Sequence, residues 1–199
     1  MKCVIFDIGG VLIQDHGLKR KAAAAFPGVA PDRLWRSLNY ALLPACRSDA
    51  TLLNCWYRLA DELGIRPKED VLKELWSTAD FVDGIELNRD VIHLAHSLRQ
   101  RYKVGVVSNT MPEHAVALRE MGIYDGFAEV VLSHQVGLTK DNAKIFEIAL
   151  SRLDVEPQEA VFIDDFAPYA DVARSVGMNA IVFTDASNLV AELKSYGVA

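Results

Sequence analysis

Apolar positions along the chain fall into two regimes. The first opens with an uninterrupted run, Cys3-Val4-Ile5-Phe6, the pattern of a strand buried on both faces. Asp7 ends the run, and Gly9-Gly10 follow where the backbone can turn sharply or approach a ligand closely. Residues 14–17 read as a polar exit. From there to about Asp83 the spacing is helical, with no convincing strand. Residues 18–26 are Ala-rich and basic at the start. Pro31 precedes Leu34, Trp35, Leu38 and Leu42 as a first-turn proline should. Residues 51–63 predict a third helix, with Asp49 or Ser48 as cap and Gly64 as stop. Residues 67–76 predict a fourth, with Val71, Leu72, Leu75 and Trp76 on one side. Four short helices in succession imply a small bundle inserted after the first strand.

The second regime alternates. Leu87, Val91, Leu94, Ala95 and Leu98 mark an amphipathic helix, and residues 104–107 a buried strand ending in Ser108-Asn109-Thr110. Residues 112–121 predict a helix stopped at Gly122, and 130–133 a short strand. Asn142 is placed to cap a helix carrying Ile145, Ile148, Ala149 and Leu153. Residues 160–163 form the next strand, ending in Asp164-Asp165, and a helix then runs to Ser175 and stops at Gly177. Residues 180–183 are a last strand, and Ser187 is a candidate cap for a terminal helix. Alternating strands and helices predict an α/β fold with a parallel sheet covered on both faces.

Composition narrows the partners. A net charge of -6 argues against nucleic acid or an anionic membrane, and it requires a locally positive or metal-filled site for any anionic substrate. Cys3, Cys46 and Cys55 lack zinc-type spacing and are an odd number, so reduced thiols and a cytoplasmic location are expected. No basic-then-apolar leader opens the chain, and no apolar run approaches the ~20 residues needed to span a bilayer. A soluble protein is expected. Oligomeric state leaves no trace in the pattern.

Four strand ends or post-strand loops carry candidate chemistry: Asp7, Ser108 with Asn109, Lys140, and Asp164-Asp165. In an open parallel sheet these ends share one edge, so they can converge. Two carboxylates ~4 Å apart repel by about 4 kcal/mol at an effective dielectric of about 20. A divalent cation removes that repulsion, and an oxygen-rich, thiol-free site suits magnesium. An attacking carboxylate, a metal, a hydroxyl beside backbone donors and an ammonium are the parts of phosphoryl transfer through an aspartyl-phosphate. Each residue also has a plainer reading. Asp7 could open a Gly-Gly turn, Ser108 could begin a helix, Lys140 could be a solvated lysine, and Asp164-Asp165 an acidic loop.

The order of these motifs resembles the haloacid dehalogenase superfamily of hydrolases, in the branch with a helical cap inserted after the first motif. Residues 6–12, Phe-Asp-Ile-Gly-Gly-Val-Leu, are similar to the first motif, and Val106-Val107-Ser108-Asn109 to the second. Residues 133–140 with Ile145-Phe146 resemble the third, and Phe162-Ile163-Asp164-Asp165, running on to Met178, the fourth. The resemblance implies a Rossmann-like doubly wound core over 1–14 and 84–199, with the cap over 15–83. It implies Asp7 as nucleophile and magnesium ligand, with the Gly9 carbonyl, Asp164 and Asp165 completing the metal set. Ser108 and the Asn109 backbone N–H would hold phosphoryl oxygens, and Lys140 would stabilise both Asp7 and the phosphate. The expected reaction is hydrolysis of a small phosphorylated metabolite, a phosphomonoester.

Three departures from the family pattern stand out. Gly9 occupies the position of the usual general-acid aspartate, Asp141 that of a proline, and Tyr169 that of an asparagine. Asp15 or His16 could substitute as acid, and the Asp141 charge could compete with phosphate for Lys140. Two alternatives follow: a metal-independent 2-haloacid dehalogenase, or a binding protein that keeps the fold without turnover. Among the aromatic residues Trp35, Tyr40, Trp56, Tyr57 and Trp76, helical spacing predicts bundle core rather than pocket. Arg47 is a candidate anion contact.

Overall fold

The computed structural model describes residues 1–68, 70–71, 82 and 84–198. The expected helix over 67–76 lies largely outside these residues. Strand β1 (Cys3–Phe6) is the centre of a five-stranded parallel sheet, flanked by β4 (Lys103–Ser108) and β6 (Ala160–Asp164). The outer strands are β5 (Glu129–Leu132) and β7 (Asn179–Val182), giving the order β5-β4-β1-β6-β7. Because β1 has a partner on each side and a helical layer on each face, all four of its residues are buried. That is why its sequence is apolar without alternation.

Alternate residues of β1 serve different layers. Val4 and Phe6 pack with Val91, Ala95 and Leu98 of α5 (Arg89–Leu98), Ala115 and Leu118 of α6 (Pro112–Glu120), and Leu189 and Leu193 of α10 (Ala186–Ser195). Cys3 and Ile5 pack with Ile145, Phe146, Ala149 and Leu153 of α8 (Lys144–Leu153) and with Ala170 and Ala173 of α9 (Ala167–Ser175). The sheet is therefore doubly wound, as expected. Gly105, paired with Ile5, admits the close approach of α8: a Cβ there would lie 3.0 Å from Leu153 Cδ1.

Between β1 and α5 stand the helices α1 (His16–Ala25), α2 (Pro31–Ala41), α3 (Leu43–Cys46) and α4 (Leu52–Leu63). They share their own apolar cluster, in which Phe26 and Trp56 stack at 6.3 Å between ring centroids beside Leu34, Leu38 and Leu59. Thr51, rather than Asp49 or Ser48, caps α4 by accepting the Asn54 N–H, and Gly64 stops it at φ 69°. Asp185, rather than Ser187, caps α10. Asn142 accepts the Lys144 N–H at 3.1 Å, at the start of α8.

Two strands escaped the pattern. Residues expected as a polar exit form β2 (Ile13–Asp15), which pairs antiparallel with β3 (Ile85–Leu87), so Leu87 precedes α5 instead of starting it. Three residues are too few for a period-2 pattern to register. Ser133 likewise opens the short helix α7 (Ser133–Val136) instead of ending β5. All three cysteines are free and buried. Among the described residues no helix is long and apolar enough to cross a membrane.

Candidate active site

The C-terminal edge of the sheet carries the chemistry. The Asp7 N–H bonds the Ile163 carbonyl at 2.8 Å, extending the β1–β6 ladder by one residue, so Asp7 and Asp164 emerge side by side. Lys140, from the loop between α7 and α8, places Nζ 2.7 Å from Asp7 Oδ2 and 2.7 Å from Asp164 Oδ2. The three side chains are 8%, 2% and 0% exposed for Asp7, Lys140 and Asp164. The second oxygen of Asp164 accepts the Phe166 N–H at 2.8 Å. Buried ions survive only when paired and hydrogen-bonded in this way.

Asp165 completes an acidic triangle: one carboxylate oxygen each from Asp7, Asp164 and Asp165 lie within 4.8 Å of one another. Gly10 makes room for it. Its φ is +81°, and a Cβ there would collide with the Asp165 carboxylate. Gly9, by contrast, has open space where a Cβ would stand.

The electrostatics report crowding. Burial, then the Asp7 charge, push Asp165 up to about 6 against the pull of Lys140 and Lys19. Burial also pushes Asp164 above the usual carboxylate range, with Lys140 opposing. For Lys140, burial alone would favour the neutral amine, but the Asp164 and Asp7 carboxylates outweigh it and hold the ammonium more firmly protonated than a free lysine. Three carboxylates against one ammonium leave excess negative charge beneath a cavity. Hard oxygen donors so arranged fit a magnesium-type cation.

Ser108, at the end of β4, is buried and lines the same cavity, as do Asn109 and Thr110. The Asn109 side chain has a task its sequence position did not disclose: Oδ1 accepts the Lys140 backbone N–H at 2.9 Å, anchoring the lysine loop. Its Nδ2 is buried without a partner among the described residues. Ser133 ties three segments together. Its hydroxyl accepts the Thr110 N–H at 2.9 Å and lies 2.7 Å from the Cys46 carbonyl, an acceptor in the helical insert.

The departures resolve differently. Asp141 does not reach the Lys140 ammonium; its carboxylate accepts the Thr139 hydroxyl at 2.6 Å. Arg47 pairs with Asp49 at 2.7 Å and donates to Thr139 at 3.1 Å, and it does not line the cavity. Tyr169 lies under the lysine, with Lys140 Nζ 4.9 Å from the ring centroid and its hydroxyl buried without a partner among the described residues. An aromatic face can hold an ammonium as a hydrogen-bond acceptor would. The side chains of Asp15 and His16 lie outside the described set.

The cavity measures about 140 Å³. Besides the expected residues it is lined by Lys19, Trp35, Asn39 and His114. Trp56 is core as expected, and Trp35, partly buried, packs against the same cluster while also lining the cavity, with Lys19 Nζ 4.5 Å from its ring centroid. Tyr40 and Tyr57 are about 40% exposed, and Trp76 is outside the described residues. Burial lowers His114 to about 4, so it is neutral at pH 7. Trp35 and Asn39, four apart on α2, share a helix face by spacing alone; what that face meets was not visible.

A doubly wound parallel sheet presenting converging carboxylates and a lysine at its carboxyl edge defines a class of α/β hydrolases. A model of that class, haloacid dehalogenase-like hydrolase, matches residues 1–177, and the chain belongs to this family. A glyceraldehyde 3-phosphate phosphatase of Methanopyrus kandleri is 40% identical over 78 residues, 38% of this chain and 34% of that protein. The chain thus spans about a third of the length of such curated relatives. Among solved structures, a HAD phosphatase from Thermococcus onnurineus superposes with TM-score 0.59 at 27% identity, covering 92% of this chain and 86% of that one. A HAD family enzyme of Bacteroides thetaiotaomicron, in complex with magnesium and inorganic phosphate, gives TM-score 0.62 at 19% identity, covering 93% and 95%. An L-2-haloacid dehalogenase from Xanthobacter autotrophicus gives 0.65 at 21%, covering 100% and 84%. At such identities the last two speak for the fold alone.

Proposed function

We propose that this chain is a magnesium-dependent phosphatase that hydrolyses a small phosphomonoester through an aspartyl-phosphate on Asp7. One observation carries the reading: Asp7, Asp164, Asp165 and Lys140 converge beneath a single cavity at the carboxyl edge of the sheet. A dehalogenase needs only one attacking carboxylate, whereas three clustered carboxylates sharing a single ammonium are costly unless a further cation joins them. The partial match to phosphatases and the structural likeness to a HAD phosphatase at 27% identity favour the same side.

Asp7, Asp164, Asp165 and the Gly9 carbonyl are the residues assigned to hold the cation. When bound, it supplies charge neutralisation for the carboxylates and the phosphoryl oxygens. Lys140 grips Asp7 Oδ2 and leaves the other oxygen to attack phosphorus. The phosphorus–oxygen bond to the leaving group breaks as the Asp7 bond forms. Water then attacks phosphorus, the Asp7–phosphorus bond breaks, and the carboxylate is restored with inorganic phosphate released. Ser108 and the Asn109 backbone N–H hold the equatorial oxygens, a preorganised arrangement that develops its effect in the transition state. Residues 15–83 are assigned as the cap that closes over substrate and excludes water.

The test is hydrolysis of p-nitrophenyl phosphate with and without magnesium, in wild type and Asp7→Asn. Magnesium-dependent release abolished by the substitution is the expected result. Halide release from a 2-haloacid in chelator overturns the reading in favour of a dehalogenase. Silence in both assays with retained magnesium binding overturns it in favour of a binding protein.

A further inference from the structure

The cavity's lining comes from two chemically different sources. The sheet edge contributes the acidic triangle and Lys140, while α1 and α2 contribute Lys19, Trp35 and Asn39. Apolar lining is added by Leu18, Leu42, Met111 and Phe166. Lys19 is half-buried, and among the described residues no carboxylate lies within ion-pair distance of it. Instead its ammonium rests on the Trp35 ring at 4.5 Å. The ring restrains the lysine stem and leaves ammonium hydrogens unclaimed. The Asn39 amide donates to the Trp35 carbonyl at 2.9 Å.

We infer that, on the phosphatase reading above, the substrate's leaving group carries a second anion, a carboxylate or a second phosphate, and that Lys19 on Trp35 binds it. A pocket wall otherwise apolar gains little from a neutral polyol but rejects an anion unless a cation meets it. Lys19 is the cation on that wall. A charge-assisted hydrogen bond from Lys19 then supplies about a tenfold or greater preference for the anionic substrate.

Matched substrates test this. Glycerol 3-phosphate and 3-phosphoglycerate differ only in a terminal CH₂OH against a carboxylate, and propane-1,3-diol bisphosphate carries the second phosphate instead. The readout is the ratio of kcat/KM values within each protein, so a general loss of activity or stability in a variant cancels. Wild type is expected to prefer one or both anionic substrates by about tenfold, Lys19→Gln to lose the preference, and Lys19→Arg to keep it. Which anionic substrate is preferred identifies the group. Equal rates in wild type, or a preference that survives Lys19→Gln, overturn the inference while leaving an Asp7-dependent phosphatase standing. Should no substrate turn over, the phosphatase reading fails by itself. Thermal stabilisation of wild type by 3-phosphoglycerate or by the bisphosphate over glycerol 3-phosphate, lost in Lys19→Gln, would then uphold the anion site, and its absence with both would overturn it.

Discussion

Replacing Lys140 by Met keeps the length and removes the charge at the centre of the site. In the native arrangement Nζ stands 2.7 Å from each of two buried carboxylate oxygens. At an effective dielectric of about 20, each contact is worth about 6 kcal/mol of attraction, and each carboxylate pair about 3.5 kcal/mol or more of repulsion at the separations found here. The full sum is not lost. Burial already raises Asp164, so a proton can enter when the ammonium leaves, and the desolvation of Lys140 is recovered. Breaking a buried pair costs about 3–5 kcal/mol in practice, which for a chain of this size lowers Tm by roughly 6–20 °C. Thermal melts in chelator should show that loss. Magnesium should narrow the gap between variant and wild type, because a divalent cation supplies positive charge to the same carboxylates. Lys144→Met, at an exposed lysine, is the control and should change stability by no more than about 0.5 kcal/mol. A Lys140→Met protein that melts with wild type in chelator, or whose deficit magnesium leaves untouched, would refute the electrostatic account of the site.

Neighbouring glycines should behave oppositely. Gly10→Ala places a Cβ in the Asp165 carboxylate at φ +81° and is expected to cost at least about 1 kcal/mol and weaken magnesium binding by calorimetry, whereas Gly9→Ala should do neither. Because space is open at Gly9, Gly9→Asp should fold and restore a leaving-group acid. The ratio of kcat/KM for an alkyl phosphate to that for p-nitrophenyl phosphate should then rise by about 10²-fold or more, and an unchanged ratio would mean that an acid is already present. His114 stays neutral in the folded chain down to about pH 4, while an unfolded histidine takes its proton near 6.5. Its contribution is therefore fully present above pH 6.5, falls by up to about 3 kcal/mol as the pH drops toward 4, and is level below that. Urea unfolding of wild type and His114→Gln should diverge across that window, and parallel curves would count against the assignment.

Much of the α/β core was legible along the chain because each element of it obeys a local rule. The buried strands are short apolar runs, the helices repeat at helical spacing, and the helix stops are glycines at left-handed φ such as Gly64, Gly122 and Gly177. The reacting set was legible for a topological reason: parallel strands end on one edge, so Asp7, Ser108 and Asp164 had to be neighbours once the strands were placed. The β2–β3 ribbon was not, since three residues on each side leave no period. Cap residues were misjudged where several nearby hydroxyls and carboxylates compete, as at Thr51 and Asp185, because the winner depends on a turn's geometry.

Side-chain partners were beyond reach of the pattern. Asp141 and Arg47 looked like charges aimed at the site; Asp141 instead accepts from Thr139 two residues before it, and tertiary packing brings Arg47 to the same hydroxyl. Asn109 looked like part of a phosphate cradle, and its side chain also holds the lysine loop. Helical periodicity marks which positions of α1 and α2 are apolar, but two helices of an insert can meet a sheet edge through any polar face. That Lys19, Trp35 and Asn39 wall the cavity, while Trp56 fills the insert's core, follows from long-range contacts between segments. The chain by itself thus determined the layers and the edge where chemistry gathers, both properties of nearest neighbours and strand order. Only the folded arrangement decided which charges are paired and which stand open to a substrate, because those depend on distances across the fold.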